Sequence, residues 1–454
     1  MKTRIHAFLI LGVSIFQLSC AQEKVKNSIA QYFPFTKDNW TIKNADGIKS
    51  EIKTLEHKGK QALLLEASQT AYLKDKKFKN FEMEFYCNGN FPGLAFRVID
   101  NKNFEYLYLR VPMSKKRDAL QYIPIYNGSL PWQLYNYPNY EGNAEFPKEQ
   151  VATLPLSYEK ELVKGKVSER LLKGLEDEGI SFSKESEIDI PDKTIQYIFD
   201  PQNKNVLLFE KSDNEIAFLD FRTWIHTKVE VLEDKMSVYI EDMETPTFVV
   251  DNLKRDSDEG GISLISDFDK VYFSDFSITP IKTSDEPKNN SDEKSISPNY
   301  LTEWNISEMF AKDSLNFVAQ VDSLFEKKAK FKTIQADEDG LINISRFYGD
   351  MTKTVVLYCD IISDIDKTVT LNFDYADHLV ILSDSQVLFD EGMNFKSPPE
   401  KGEEGRVFVE DEQIALNLLK GPNKLIFVLS ADNRQKFNWG FIAKLESLDG
   451  IKIE

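Results

Sequence analysis

Apolar and polar side chains alternate along much of the chain up to residue 280. Residues 81–86, 104–110, 228–231 and 236–240 all show this period of two. Successive side chains of a β-strand point to opposite faces of its sheet, so alternation predicts strands with one buried and one solvated face. Antiparallel sheets have this character, and we expect them to dominate residues 30–281.

The alternation stops between about residue 150 and residue 223. Residues 159–176 are highly charged and place Leu162, Val167, Leu171 and Leu175 at helical spacing, which predicts one helix. Shorter β-like runs and turns follow it. We interpret residues 150–223 as an insertion within the first domain.

Residues 282–299 have almost no apolar side chains, which predicts a polar linker. Alternation returns in residues 300–454, where only residues 306–310 and 315–325 look helical. A chain of 454 residues exceeds what one core usually supports, so length alone predicts two or three domains, and the two β-patterned regions on either side of the linker favour two. These patterns predict an all-β fold with minor helical insertions.

Charge and cysteine content narrow the classes of partner and site. The formal net charge of −18 argues against nucleic acid and anionic lipid headgroups as partners. The acidity also has a simpler interpretation, because a charged surface keeps an exported protein soluble. Apart from Cys20 the chain has Cys87 and Cys359, which fall in different domains. Buried free thiols are therefore expected rather than a disulfide framework.

The first 21 residues have the pattern of an export signal. Lys2 and Arg4 precede an apolar run at residues 7–18, which is too short to span a bilayer. The sequence Leu18-Ser19-Cys20 resembles the lipobox of bacterial lipoproteins, in which the cysteine is acylated and starts the mature chain. Cleavage after Ala21 is the alternative, because small residues also suit the ordinary signal peptidase. We expect a periplasmic or cell-surface protein, tethered to a bacterial membrane through Cys20.

Residues 93–98, 103–110, 118–128 and 132–135 form the most specific pattern in the chain. They resemble the concanavalin A-like, laminin G-like jelly roll of exported bacterial proteins, including family 16-like glycosidases and 3-keto-disaccharide hydrolases. Residues 224–231, 253–255, 260–264 and 273–276 resemble its later strands. The resemblance covers about residues 33–280, is interrupted by the insertion, and implies a concanavalin A-like β-sandwich.

The second domain has a less specific resemblance. Residues 339–344, 377–382, 420–425 and 439–441 are similar to galactose-binding-like β-sandwiches attached to carbohydrate-active enzymes. This resemblance implies a second β-sandwich over residues 300–454.

A ligand-binding face is expected on the first domain. Tyr106, Tyr108 and Arg110 alternate with leucines, and Arg97 can join them from a neighbouring strand. Aromatic faces stack on pyranose rings, and guanidinium groups bond to hydroxyl pairs or carboxylates. The next strand and loop extend this expected set with Gln121, Trp132, Gln133 and Tyr135. The alternative is that tyrosine and arginine are simply favourable on a half-exposed strand.

Paired carboxylates are the expected signature of a glycosidase. Glu187, Asp189 and Asp192 resemble the Glu-x-Asp-x-x-Glu strand of family 16 enzymes, but the last acid is shortened and Pro191 interrupts the strand. Chance in an acidic chain is the better explanation, so no catalytic set is expected. Should the protein hydrolyse glycosides, the other candidate acids are Glu82, Glu84 and Glu105.

No cofactor is implied beyond a calcium ion. Acidic turns offer hard oxygen ligands, and the candidates are residues 256–259 and the trio Asp360, Asp364 and Asp366. Neither has EF-hand spacing, and solvated acidic turns are the simpler interpretation.

The function expected from the sequence is carbohydrate binding, in glycan capture or as an accessory to polysaccharide degradation. The partner is then an oligo- or polysaccharide. A glycoside hydrolase is the first alternative, and a structural or protein-binding component of the envelope is the second. The fold alone does not choose among them.

Overall fold

β-Strands form almost all of the regular structure, which confirms the all-β prediction. The computed structural model describes residues 29–190, 196–202, 205–255, 259–282, 297–311, 321, 324–325, 330–337, 340–383, 385–393, 405–431 and 437–454. The export signal and most of the polar linker lie outside these ranges. Within them, no helix combines the length and apolarity needed to cross a membrane.

The first domain begins with eleven strands that precede the insertion. They are β1 (Gln31–Tyr32), β2 (Trp40–Asn44), β3 (Lys49–Ser50), β4 (Lys53–His57), β5 (Lys60–Leu65), β6 (Gln69–Leu73), β7 (Phe81–Asn88), β8 (Pro92–Asp100), β9 (Asn103–Leu109), β10 (Leu120–Ile125) and β11 (Glu141–Gly142). A short 3-10 helix at Val111–Met113 follows β9.

The insertion forms a sheet of its own, which we call sheet C. Its strands are β12 (Glu149–Pro155), β13 (Gly165–Lys166), β14 (Glu187–Asp189), β15 (Tyr197–Asp200), β16 (Asn205–Lys211) and β17 (Glu215–Asp220). They lie in the order β12-β17-β16-β15-β14-β13, and a 3-10 helix at Leu156–Glu161 follows β12.

Helix α1 (Glu169–Asp177) packs on sheet C and is shorter than the helix expected over residues 159–176. It begins at Glu169 because the hydroxyl of Ser168 accepts a hydrogen bond from the backbone N–H of Leu171 at 3.1 Å. Leu171 and Leu175 are buried in the insertion's own apolar core. Val206 and Phe221 instead join the core of the first domain, so the insertion is anchored to it.

Five more strands complete the first domain: β18 (Ile225–Leu232), β19 (Lys235–Ile240), β20 (Phe248–Val250), β21 (Gly261–Ser266) and β22 (Val271–Pro280). Sheet A has the order β20-β19-β18-β7-β22-β5-β4, with β1 paired to β22, and sheet B has the order β11-β10-β9-β8-β21-β6-β2-β3. The two sheets face each other across a core that includes Trp40, Phe85, Phe96, Leu107 and Phe273. Each sheet therefore has an inner face on this core and an outer face turned away from it.

The second domain is another β-sandwich. Its strands are β23 (Glu303–Ile306), β24 (Phe310–Ala311), β25 (Lys332–Gln335), β26 (Leu341–Asn343), β27 (Lys353–Ser363), β28 (Lys367–Tyr375), β29 (Asp377–Ser383), β30 (Gln386–Met393), β31 (Glu412–Leu418), β32 (Gly421–Ser430), β33 (Gly440–Leu445) and β34 (Ile451–Ile453). Sheet D has the order β25-β23-β27-β32-β29-β30, with β24 and β34 paired to β27, and sheet E has the order β26-β33-β28-β31. A 3-10 helix at Ile344–Arg346 follows β26.

The helix expected at residues 306–310 is wrong. Trp304 and Ile306 are both buried and alternate with Asn305, whose strand pairs with β25 and β27. Long-range strand pairing has therefore overridden a short helix-like pattern. The expected helix at residues 315–325 lies mostly outside the described residues.

The two domains share one apolar contact surface. Leu341, Ala376 and Val407 belong to the second part of the chain, yet they pack in the core cluster of the first domain. Trp304 and Trp439 lie in a separate core between sheets D and E. The two domains therefore meet at a packed interface, which includes several of the residues discussed below.

Candidate functional site

The outer face of sheet B carries two rows of side chains that run across neighbouring strands. Strand pairing aligns one row in the order Tyr72, Ser263, Ala95, Tyr106, Ile123. It aligns the second row in the order Thr70, Ile265, Gly93, Tyr108, Gln121. In the first row, small residues on β8 and β21 lie between larger side chains on β6 and β9, whereas β21 contributes Ile265 to the second row. This arrangement makes a trough, which we call the sheet B trough.

The spacing of the strands sets the width of the trough. Tyr72 and Tyr106 lie on strands three positions apart, which places their backbones roughly 14 Å from each other. Ser263 and Ala95 lie between them and are both buried, because the Tyr106 ring reaches across β8 toward Asp267 and covers part of this space. A cavity of about 600 Å³ opens at this end of the trough, where Val98 and Gly261 pair.

The lining of the cavity combines one aromatic ring with polar groups. Tyr72 and Ser263 lie in its wall, together with Asp75, Lys76, Lys77 and Glu259 from the adjoining loops. The hydroxyl of Ser263 is buried and has no hydrogen-bond partner within the described residues. Burial, the largest influence, raises the pKa of Tyr72, so its hydroxyl is protonated and can donate at neutral pH. The ammonium of Lys43 lies 5.4 Å from the centre of the Tyr72 ring.

Tyr106 and Tyr108 lie on the outer face as expected, but their polar atoms are already engaged. Their rings stack with centres 5.3 Å apart. The Tyr106 hydroxyl donates to the Asp267 carboxylate, and the Tyr108 hydroxyl donates to Gln121 Oε1 at 2.5 Å. Tyr106 is 2% exposed and Tyr108 is 8% exposed. The Tyr106 ring also lies over Gly93 on β8, so these two rings cover the β8 and β9 side of the trough rather than offer open stacking surfaces.

Arg97 does not share that face. The pairing of β8 shifts register on both sides of it, and the residue has a left-handed φ of 48°. A β-bulge re-aims a side chain, and here it turns Arg97 inward. The guanidinium donates to the backbone carbonyl of Glu233 and lies 3.9 Å from the carboxylate of Glu105, which is fully buried. The strict alternation assumed from the sequence fails at this bulge.

Glu105 is held inside the sandwich. Its carboxylate accepts hydrogen bonds from the Tyr122 hydroxyl at 2.5 Å and from the Arg255 backbone N–H at 3.0 Å. Burial raises the pKa of Glu105, while Tyr122 and Arg97 oppose that rise. These hydrogen bonds hold the Glu105 carboxylate on the inner face of sheet B, away from the trough.

Arg110 and Gln121 belong to an ionic cluster at the other end of the trough, which we call the Arg406 cluster. It consists of Arg110, Asp118, Gln121, Glu141 and Arg406. Arg406 comes from the second domain and donates from Nη2 to Glu141 at 2.6 Å and to Asp118 at 3.2 Å. Gln121 donates to Glu141 at 2.8 Å, and Arg110 donates to Asp118. Burial raises the pKa of Glu141, whereas the hydrogen bonds from Arg406 lower it.

The remaining expected ligands turn toward the second domain. Trp132 is partly exposed and its ring lies 5.3 Å from the Arg406 guanidinium carbon. The Gln133 backbone N–H donates to Asn438 Oδ1 at 2.8 Å, and the Tyr135 hydroxyl donates to Asp337 at 3.0 Å. Of the eight expected residues, Gln133 and Tyr135 therefore serve the domain interface.

The acids considered for catalysis lie in three separate places. Glu187 and Asp189 lie on β14 in sheet C, where Asp189 accepts a hydrogen bond from the Tyr197 hydroxyl at 2.8 Å, and Asp192 lies outside the described residues. Glu84 is on the outer face of sheet A, 2.7 Å from His226 Nε2. Glu82 shares that strand face, whereas Glu105 lies inside the sandwich.

The calcium candidates are also separated or undescribed. Asp360 pairs with the Lys424 ammonium at 2.6 Å, and Asp366 accepts from the Lys420 backbone N–H at 2.6 Å. Of residues 256–259 only Glu259 is described. Within the ranges given above, no group of three or more His, Cys, Asp or Glu side chains is placed to hold a metal ion. Cys87 and Cys359 are both free and buried.

No family model matches the chain. No curated protein sequence matches it either. The concanavalin A-like and galactose-binding-like assignments therefore stay predictions, beside an observed architecture of two β-sandwiches.

Solved structures overlap the chain loosely. A candidate glycosyl hydrolase from Parabacteroides distasonis matches at 10% identity over 56% of this chain and 100% of its own, with a TM-score of 0.24. The Ca²⁺/Man3GlcNAc-bound exoplasmic/lumenal domain of VIP36 matches at 9% identity over 58% of this chain and 92% of its own, with a TM-score of 0.27. An exo-β-1,3-galactanase from Phanerochaete chrysosporium matches at 7% identity over 92% of this chain and 100% of its own, with a TM-score of 0.16. Superpositions this loose transfer neither a site nor an activity.

Proposed function

We propose that this protein binds carbohydrate in the sheet B trough. The observation that carries the proposal is the cavity of about 600 Å³ beside Tyr72, which has one aromatic wall and four charged side chains. Its volume falls in the usual range of small-molecule sites, about 300–1,000 Å³. A site of this size accepts one or two sugar rings of a longer chain.

The chemistry of the lining suits a sugar. A pyranose has an apolar face of C–H groups, which packs on an aromatic ring such as Tyr72, and a rim of hydroxyls that seek donors and acceptors. Lys76 and Lys77 supply donors, while Asp75 and Glu259 supply acceptors.

The cellular setting that we propose is outside the cytoplasm. It rests on the charged and apolar pattern of residues 1–21, with Cys20 as the acylated anchor. A sugar-binding protein that is tethered to a membrane would hold glycan at the surface or in the periplasm of its own cell. This supports glycan capture, or assistance to degradation, over binding of a soluble cargo.

Two carboxylates in the same cavity favour one rival function. Asp75 and Glu259 both line it, and paired acids are what glycoside hydrolysis requires. Both side chains are exposed, however, and solvated carboxylates are poorly suited to be a general acid at neutral pH. Release of reducing ends from a polysaccharide panel, lost on Glu259→Gln, would replace the binding proposal with hydrolysis.

The test is a glycan array followed by calorimetric titration of the best ligand. Tyr72→Ala is expected to weaken binding about tenfold, because the lost stacking surface contributes on the order of 1.4 kcal/mol. Tyr32→Ala is the matched control, since Tyr32 is 60% exposed on β1 at the edge of sheet A. Equal losses in both variants, or no glycan bound at all, would refute the proposal.

A further inference from the structure

A second cavity lies where the chain crosses from sheet B to sheet A. It has a volume of about 520 Å³ and lies between β3, at the edge of sheet B, and β4, at the edge of sheet A. Phe35 and Ile52 give it an apolar side that packs on the core of the first domain. We call it the lysine cavity because of the residues at its rim.

The rim is cationic in an acidic protein. Lys37, Lys49 and Lys74 line the cavity together with a single acid, Glu51, whereas the whole chain carries a net charge of −18. None of these three lysines makes an ion pair within the part of the chain that the structure describes. Three ammonium groups that lack a carboxylate partner among the described residues surround one concave surface, and their positive field attracts an anion.

Lys74 is held in place at this rim. Its ammonium donates to the backbone carbonyl of Lys37, which brings the two lysines together. The fixed position of Lys74 reduces the conformational entropy lost when a ligand binds.

The lysine cavity adjoins the trough. Thr41 lines the lysine cavity and is the strand partner of Tyr72, which lines the cavity in the trough. Neighbouring strands lie about 4.8 Å apart, so a chain of a few sugar rings can reach from one cavity to the other. The two cavities have no lining residue in common, but they approach each other at the end of β6, where Lys74 lines one and Asp75 lines the other.

We infer that the lysine cavity is an anion subsite, which receives a carboxylate-bearing sugar of the glycan bound in the trough. This rests on the proposed carbohydrate-binding function and names its ligand class as acidic oligosaccharides, in which uronic acid rings recur. The apolar side formed by Phe35 and Ile52 packs against the ring carbons. The lysines pair with the carboxylate.

The test compares oligogalacturonate and oligomannuronate with the methyl esters of the same chains, which keep the rings and lose the charge. The full-length protein is expected to bind at least one acid form more tightly than its ester, and less tightly as NaCl rises from 50 to 500 mM. Lys37→Gln combined with Lys49→Gln should weaken binding of the acid form about fivefold and leave the ester unchanged. Lys173→Gln, on α1, is the control for loss of a surface charge.

The possible outcomes distinguish failure of the anion subsite from failure of the proposed carbohydrate-binding function. Equal affinity for acid and ester, or no response to the double lysine substitution, would overturn the anion subsite while neutral glycan binding could stand. If the affinity depends on the lysines but is unchanged by Tyr72→Ala, the anion subsite would stand and the proposal that the trough binds sugar would be overturned. Binding of no oligosaccharide, acidic or neutral, would overturn both.

Discussion

Arg406→Met is the substitution with the largest expected effect on stability. Arg406 is 2% exposed and bonds to Glu141, which is 1% exposed. Methionine fills much of the same volume but leaves the Glu141 carboxylate buried without its main cationic partner. Removing one partner of a buried ion pair costs about 3–5 kcal/mol. Asp118 retains its ion pair with Arg110, so we expect a loss at the lower end of this range. The substitution should lower the free energy of unfolding by about 3 kcal/mol.

The pH dependence of this loss identifies its cause. Burial already raises the pKa of Glu141, and removing Arg406 raises it further. A group whose pKa is higher in the folded state favours folding below its unfolded pKa and loses that contribution as pH rises through its folded pKa. The deficit of Arg406→Met should therefore be largest near pH 7.5 and shrink as pH falls toward about 4.5.

Urea denaturation followed by tryptophan fluorescence measures this deficit. The matched control is Arg406→Met in a Glu141→Gln background, where no buried carboxylate is left unpaired. There the arginine substitution should cost about 1 kcal/mol. A full loss in both backgrounds, or a deficit that stays constant with pH, would show that Glu141 is not the cause.

Three further predictions concern separate parts of the chain. Burial raises the pKa of Cys87 to about 12, so iodoacetamide at pH 8 should label it only after denaturation, and rapid labelling of native protein would contradict its burial. Mass spectrometry should find a mature chain that starts at acylated Cys20, whereas a lipid-free start at Gln22 would contradict the lipoprotein prediction. Gly93→Ala places a methyl group 2.7 Å from Tyr106 Cε2, so it should destabilise the fold by about 1–3 kcal/mol, and a thermal melt unchanged from the wild type would refute the close packing.

Regular strands were predictable from the sequence because alternation alone decides which face a side chain takes. Tyr106 and Tyr108 lie on the expected face for this reason. Arg97 does not, because the bulge that turns it inward depends on pairing with β9 and β21, which local sequence does not encode. The helix expected at residues 306–310 failed for a related reason, since Ile306 pairs with β25 and β27 and Phe310 pairs with β27.

The candidate site was harder to predict than the strands. Tyr72 and Ser263 are separated by 190 positions along the chain and become neighbours only through the pairing of β6 with β21. Residues 69–73 do alternate, and this pattern could have drawn attention to Tyr72 as an outward-facing aromatic residue. The contact between Arg406 and Glu141 joins two domains and has no local signal at all. Long-range pairing thus decides which polar residues meet.

A crystal structure with a bound oligosaccharide tests the central claim most directly. The ligand would be the best binder from the array, at about one hundred times its dissociation constant. We expect density for a sugar ring against Tyr72, with its hydroxyls in hydrogen-bond distance of the charged side chains Asp75, Lys76, Lys77 or Glu259. Density on the outer face of sheet A or on the second domain, with the trough empty, would contradict the account.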